Sequence, residues 1–179
     1  MVETAARVFR RDGIAAAGVA GLMAEAGLTN GAFYAHFDSK ESLVAEAVVA
    51  ALKETTAAMA RSIAQAPPGR GLDAVIEHYL DPKHVDHPER GCAVAALGAE
   101  LAHRPDSTRE AVDTAIGELV ATIAGALPNT CQNRLETARA VFASMVGTIQ
   151  LARVGHPMLV PSVLATGAAA ARQLGRVSI

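Results

Sequence analysis

Tryptophan is absent from the 179 residues, and the aromatic complement is two tyrosines and four phenylalanines. With so few sheet-favouring aromatics and roughly a fifth of the chain alanine, the best helix former, a β-sandwich or β-barrel is excluded in favour of an all-α fold. Charge of one sign is also missing. Sixteen Lys and Arg stand against eighteen Asp and Glu, for a net charge of -2 and a pI near 6.3. The chain as a whole therefore does not bind polyanions by bulk electrostatics, and any nucleic-acid site must be local. Disorder is excluded by 51% apolar residues and a mean hydropathy of +0.25.

Only two cysteines occur, Cys92 and Cys131, too few for a disulfide scaffold and consistent with buried thiols in a reducing cytoplasm. A thiol sensor at Cys92 would need exposure and an activating cation, for which Arg90 is the single hint, so a structural thiol is favoured. The first twelve residues alternate in charge and lack the apolar stretch of a signal peptide, which places the protein in the cytoplasm. The uncharged run from Val154 to Ala171 approaches membrane-spanning length. His156, Pro157, Pro161, Ser162 and Thr166 interrupt it, and it reads as a helix buried at an interface, with no membrane partner. No G-x-S-x-G, phosphate-binding loop or dinucleotide fingerprint is present, so no enzyme and no cofactor is expected. The polar cluster His78, Asp81, His84, Asp86, His87, Glu89 and His103 lacks the paired spacing of a zinc site and reads as a solvated, turn-rich loop rather than a metal site.

Hydrophobic periodicity organises the chain into about nine helices and no strand. Val2, Ala5, Ala6 and Phe9 form one apolar stripe, closed by Gly13 in left-handed geometry. Val19, Leu22, Met23 and Ala26 form a second, broken at Gly27. Thr29 caps a third helix to about Phe37, and Asp38 and Ser39 cap a long fourth to about Ala66. Further helices are expected over about 72–80, 92–103, 107–123, 132–153 and 161–175, separated by proline- and glycine-bearing turns.

The first three helices make a helix-turn-helix pattern. Ala24 is small enough for a close crossing, Gly27 permits the sharp bend, and Leu28 is expected to plug the angle between the helices. Phe33 and Phe37, four apart, turn one face of the third helix inward, which leaves Asn30, Gly31, Ala32, Tyr34 and Ala35 on or beside the outward face. Asn30 can pair bidentately with a base edge, Ala32 can touch a thymine methyl, and Tyr34 can reach base or phosphate. Lys40, in the first turn of the fourth helix, opposes the helix dipole unless an anion is bound there, and His36 flanks it.

The run from Gly27 to Leu43, with Phe33-Tyr34-Ala35-His36-Phe37 and Lys40 at fixed offsets after a glycine turn, resembles the signature of the TetR/AcrR family of bacterial transcriptional regulators. Upstream, Ala5, Phe9, Gly13, Val19, Ala24 and Gly27 fall where that family places its packing residues. The resemblance implies a homodimer in two parts: a DNA-binding module over residues 1–40 and an effector-binding and dimerisation domain over 41–179. It assigns DNA contacts to Thr29, Asn30, Gly31, Ala32, Tyr34, His36 and Lys40, with double-stranded operator DNA and a small-molecule effector as partners. Two departures stand out. The sequence starts almost inside the first helix, where the family usually has a basic arm ahead of it, so that the arm's minor-groove contact is lost or the start is truncated; and Gly18 replaces the hydroxyl residue that often caps the second helix. Weaker and more salt-sensitive DNA binding than in a basic-armed relative is the expectation.

In the C-terminal half, Gly147, Leu151 and Gly155, with Gly167, Ala168 and Ala171, read as a two-helix seam that pairs with its symmetry mate in a four-helix dimer interface. Candidate pocket residues are the inward positions Met59, Ile63, Tyr79, Leu97, Ile116, Leu119, Ile123, Phe142, Met145 and Ile149, lining an apolar cavity for a compact or aliphatic effector. Each of these is equally explicable as core. On a two-fold dimer the reading helices must stand about 34–36 Å apart to enter successive major grooves. A tilt of the fourth helix would change that spacing and release the DNA. A ligand-independent DNA-binding protein whose C-terminal half only dimerises is the other class left open.

Overall fold

Hydroxyl caps and glycine turns set the helix limits where side-chain chemistry decides them. The Thr29 hydroxyl accepts the Ala32 N–H at 3.3 Å and starts the third helix. Ser39 and Ser42 cap the fourth reciprocally: the Ser42 N–H donates to Ser39 Oγ at 3.1 Å, and the Ser39 N–H to Ser42 Oγ at 3.3 Å. The computed structural model describes residues 1–176. Among them the elements are α1 (Val2–Asp12), α2 (Val19–Glu25), α3 (Asn30–His36), α4 (Lys40–Gln65), α5 (Gly71–Tyr79), α6 (Pro82–Asp86), α7 (Ala93–Leu101), α8 (Asp106–Ala126), α9 (Arg134–Val154) and α10 (Val160–Leu174). Two 3₁₀ turns lie at Pro88–Arg90 and Pro157–Leu159, and the described residues contain no strand.

The all-α expectation holds, with one helix more than the periodicity indicates. The stretch read as a turn-rich loop contains α6 and a 3₁₀ turn. Five residues are too short for a 3.6-residue period to register, and the turn is held by Asp81, whose carboxylate accepts the Lys83 N–H at 2.8 Å.

The chain packs as two units, with divisions inside α4, after α6 and inside α8. The first comprises Met1–Glu54 and His87–Ile116. Its core is formed by Phe9, Ile14, Leu22, Met23, Phe33, Leu43 and Leu52, each at most 1% exposed. The buried Arg10 satisfies its guanidinium on the Ala6 carbonyl at 3.0 Å and the Gly91 carbonyl at 2.7 Å, fastening α1 to the turn before α7. Gly13 has a positive φ of 87°, but its ψ of 156° lies outside the left-handed helical well expected for it; both angles still favour glycine.

The second unit comprises Thr55–Asp86 and the chain from Gly117 onward. Here Arg134 caps the C-terminus of α8 by donating to the carbonyls of Ala124 at 2.6 Å, Leu127 at 2.9 Å and Pro128 at 2.9 Å. Arg172 of α10 pairs with Asp73 at 2.7 Å and Glu77 at 3.1 Å on α5. Helices α9 and α10 approach closely enough that a Cβ at Gly167 would overlap the Thr148 side chain. Gly167 and Ala171 are thus buried within the chain rather than turned outward, a correction to their reading as outward seam residues. No helix among the described residues is long and apolar enough to cross a membrane.

Candidate nucleic-acid interface

The reading helix α3 is seated by a single aromatic. Phe33 is 1% exposed, packs edge-on to Tyr34 with centroids 5.0 Å apart, and stacks on the half-buried Phe37 at 5.9 Å. With that face anchored, the helical period turns Asn30, Gly31, Tyr34, Ala35 and His36 to solvent, while Ala32 is half-buried. Tyr34 stands out at 70% exposure. An amide, a phenol, small residues that permit close approach and an imidazole therefore share one solvent-facing surface, the chemistry that reads base edges and phosphates. Thr29 is exposed, but its hydroxyl is committed to the cap.

The turn before α3 is built as expected in one respect and not in another. Gly27 has a φ of 67°, supplying the bend. Leu28, expected to plug the interhelical angle, is instead 39% exposed and lines a shallow surface groove with Val2, Thr4, His36, Phe37 and Glu46. The residues buried on these two helices are instead Leu22, Met23 and Phe33.

Lys40 departs from its expected disposition. Rather than lying open for a phosphate, the half-buried side chain donates from Nζ to the Ile14 carbonyl at 2.6 Å. The other cations of the first forty residues are also occupied. Glu25 receives Arg7 at 3.0 Å and Arg11 at 2.9 Å, Arg11 also meets Asp12 at 2.8 Å, and Arg10 is buried. Hydrogen bonding from Arg11 holds the Glu25 and Asp12 carboxyls below their usual range, and the same bonds push the Arg11 guanidinium up. Burial pulls Arg10 down, partly offset by Glu54.

Some residues that shape this module were invisible to sequence reading. Glu100 accepts the N–H groups of Ile14 at 3.1 Å and Ala15 at 2.9 Å. Glu41 accepts from the Thr108 hydroxyl at 2.8 Å and pairs with Arg104 at 3.3 Å. Partners more than sixty residues apart leave no local signal.

The pocket candidates distribute over both units. In the second, Met59, Leu119, Ile123, Met145 and Ile149 are fully buried, Tyr79 and Phe142 nearly so, with rings edge-on at 6.0 Å, and Ile63 is half-buried. In the first, Leu97 is buried and Ile116 half-buried. Such burial is equally that of a packed core. Cys92 is buried, as is Cys131. Among the described residues no three His, Cys, Asp or Glu side chains are grouped to hold a metal ion.

Two family profiles match the chain. The sequence profile of bacterial regulatory proteins, tetR family, matches residues 1–47, and that of the tetracyclin repressor-like C-terminal domain matches residues 68–157. No curated protein matches the sequence. Among solved structures, the reduced form of NemR from E. coli is 18% identical with a TM-score of 0.81, over 97% of this chain and 94% of that one. SCO4454, a TetR-family transcriptional regulator from Streptomyces coelicolor, is 23% identical with a TM-score of 0.77, over 97% and 87%. FadR from Bacillus subtilis, a transcriptional regulator in complex with stearoyl-CoA, is 16% identical with a TM-score of 0.71, over 97% and 95%. These likenesses show the shared fold; the profile matches at both ends of the chain show more, that it belongs to the TetR family of DNA-binding transcriptional regulators.

Proposed function

We propose that the chain is a ligand-responsive repressor of the cytoplasm. As a homodimer it binds a palindromic operator through α3 and is released by a small apolar effector. The functional division falls after residue 40, with Thr29, Asn30, Gly31, Ala32, Tyr34, His36 and Lys40 meeting the DNA. The observation that carries this reading is the outward face of α3, where Tyr34, Asn30 and Gly31 are presented on a helix capped at one end and anchored by Phe33 beneath. Asn30 and Tyr34 specify bases. Thr29 sets the start of the helix, and Lys40 serves a phosphate with the donors that Ile14 leaves over.

Dimerisation is assigned to the outward faces of α9 and α10. Ala143, Gly147, Leu151 and Val154 follow one another at helical spacing along α9, with Leu151 63% and Val154 79% exposed. Ala165 and Ala169 are exposed on α10, and Met158, in the turn between the helices, is 83% exposed. Small residues beside large apolar ones let helices approach closely and are costly to leave in water. The effector is apolar because the inward positions Met59, Leu119, Ile123, Phe142, Met145 and Ile149 offer almost no polar atoms. A shared fold that holds stearoyl-CoA in FadR supports that class.

The test is selection of duplexes from a random pool, followed by gel shift with wild type and Tyr34→Ala, with and without small-molecule extracts. Retention of a palindrome, its loss in Tyr34→Ala and its release by an apolar fraction are expected. A selected duplex bound equally well by Tyr34→Ala would overturn the assignment of α3. A monomer at micromolar concentration, or a dimer that survives Leu151→Arg, would overturn the dimer surface.

A further inference from the structure

The peptide group joining Ile14 to Ala15 is held from both sides by opposite charges. Its carbonyl accepts from Lys40 Nζ at 2.6 Å, and its N–H donates to Glu100 Oε2 at 2.9 Å. The other carboxylate oxygen, Oε1, accepts the Ile14 N–H at 3.1 Å. The peptide is thus the middle link of an interrupted ion pair. Both bonds are charge-assisted and aligned with the peptide dipole, so each strengthens the other. Gly13 makes room for the carboxylate, since a Cβ there would stand 2.9 Å from Glu100 Oε1.

The adjacent residue of α4 is also tied to a distant segment. Glu41 holds Thr108 and Arg104, so Lys40 and Glu41 fasten one helical turn to the α1–α2 loop and to the α7–α8 corner respectively. Ala15 is exposed, and its N–H would otherwise bond to water, so the net gain in stability is small. What the clamp does is geometric. The loop over 13–18 sets the stance of α2, and α2 carries α3.

We infer that Glu100 is a positioning residue for DNA recognition: with Lys40 it locks the Ile14–Ala15 peptide, so that the Glu100–Thr108 segment sets the orientation of the reading helix. This rests on the DNA-binding function proposed above.

The experiment uses the full chain, wild type and Glu100→Gln, and the duplex that the wild type selects, at a temperature where circular dichroism shows both proteins folded. Glu100→Gln keeps the shape but offers an N–H where an acceptor is needed. It is expected to weaken operator binding about tenfold or more, because a charge-assisted bond is lost from the bound geometry. A residue that only stabilises the fold would leave the Kd of folded protein unchanged, and that result overturns the inference. On a Lys40→Met background the same substitution should have a much smaller effect, since the two side chains act on one peptide; full additivity also overturns it. If Glu100→Gln does not fold, amide exchange of the wild type decides. Slowing at Ile14 and Ala15 on adding duplex supports the clamp, and exchange unchanged by duplex overturns it. A wild type that retains no duplex refutes DNA binding itself, a result distinct from equal binding by wild type and variant.

Discussion

Operator affinity should depend only weakly on salt. The first forty residues contain four side-chain cations, Arg7, Arg10, Arg11 and Lys40. Arg10 is buried, and Arg7 and Arg11 are paired with Glu25 and Asp12, which leaves Lys40, through the ammonium donors not taken by the Ile14 carbonyl, as the one of these four cations to serve a phosphate in each protomer. Two phosphates neutralised per dimer correspond to a slope of about -1.8 in log K against log salt, or about 12-fold weaker binding between 50 and 200 mM. Were Arg7 and Arg11 also on phosphates, six contacts would give a slope of about -5.4 and a loss of about 2,000-fold over the same range. The weaker binding expected from the sequence follows from this count. The steeper salt dependence does not, because the slope scales with the number of phosphates engaged. Fluorescence anisotropy of the selected duplex across the salt range measures the slope. Glu25→Gln should steepen it by freeing Arg7, while Arg11 keeps its pairing with Asp12. A wild-type slope beyond about -4 would refute the reasoning, since it would require those arginines to leave Glu25 for the DNA.

Gly167→Ala places a methyl on the Thr148 side chain and should cost about 1–3 kcal/mol, read as a lower urea midpoint at unchanged m-value. Thr29→Ala removes the hydroxyl that accepts from Ala32 and should cost about 1 kcal/mol, with faster amide exchange in the first turn of α3 and weaker operator binding. The Glu25 carboxyl titrates lower in the folded protein than its ordinary 4.5, because of hydrogen bonding from Arg11. Its contribution is present above that value and lost as pH falls through the folded one, so Tm should drop on acidification and drop less in Glu25→Gln.

Much of this protein is written in local sequence. Thr29, Gly27, Ser39 and the apolar stripe of α1 act within one or two helical turns, and a capping bond or a positive φ depends on nothing farther away. The helices other than α6, and the fixed offsets of the reading motif, could accordingly be found without coordinates. The exposed face of α3 was legible for the same reason, because Phe33 and Phe37 mark its inner side. Tertiary packing decided the rest. Leu28 lies on the surface, while Leu22, Met23 and Phe33 are the residues buried on α2 and α3. Gly167 faces inward because α9 passes close enough to exclude any side chain there. Lys40 is claimed by a carbonyl twenty-six residues upstream, and the amides beside that carbonyl by a glutamate eighty-five and eighty-six residues downstream. Charged and polar side chains carry no periodicity that names their partners; the fold chooses them by bringing distant backbone within 3 Å or so, the reach of a hydrogen bond.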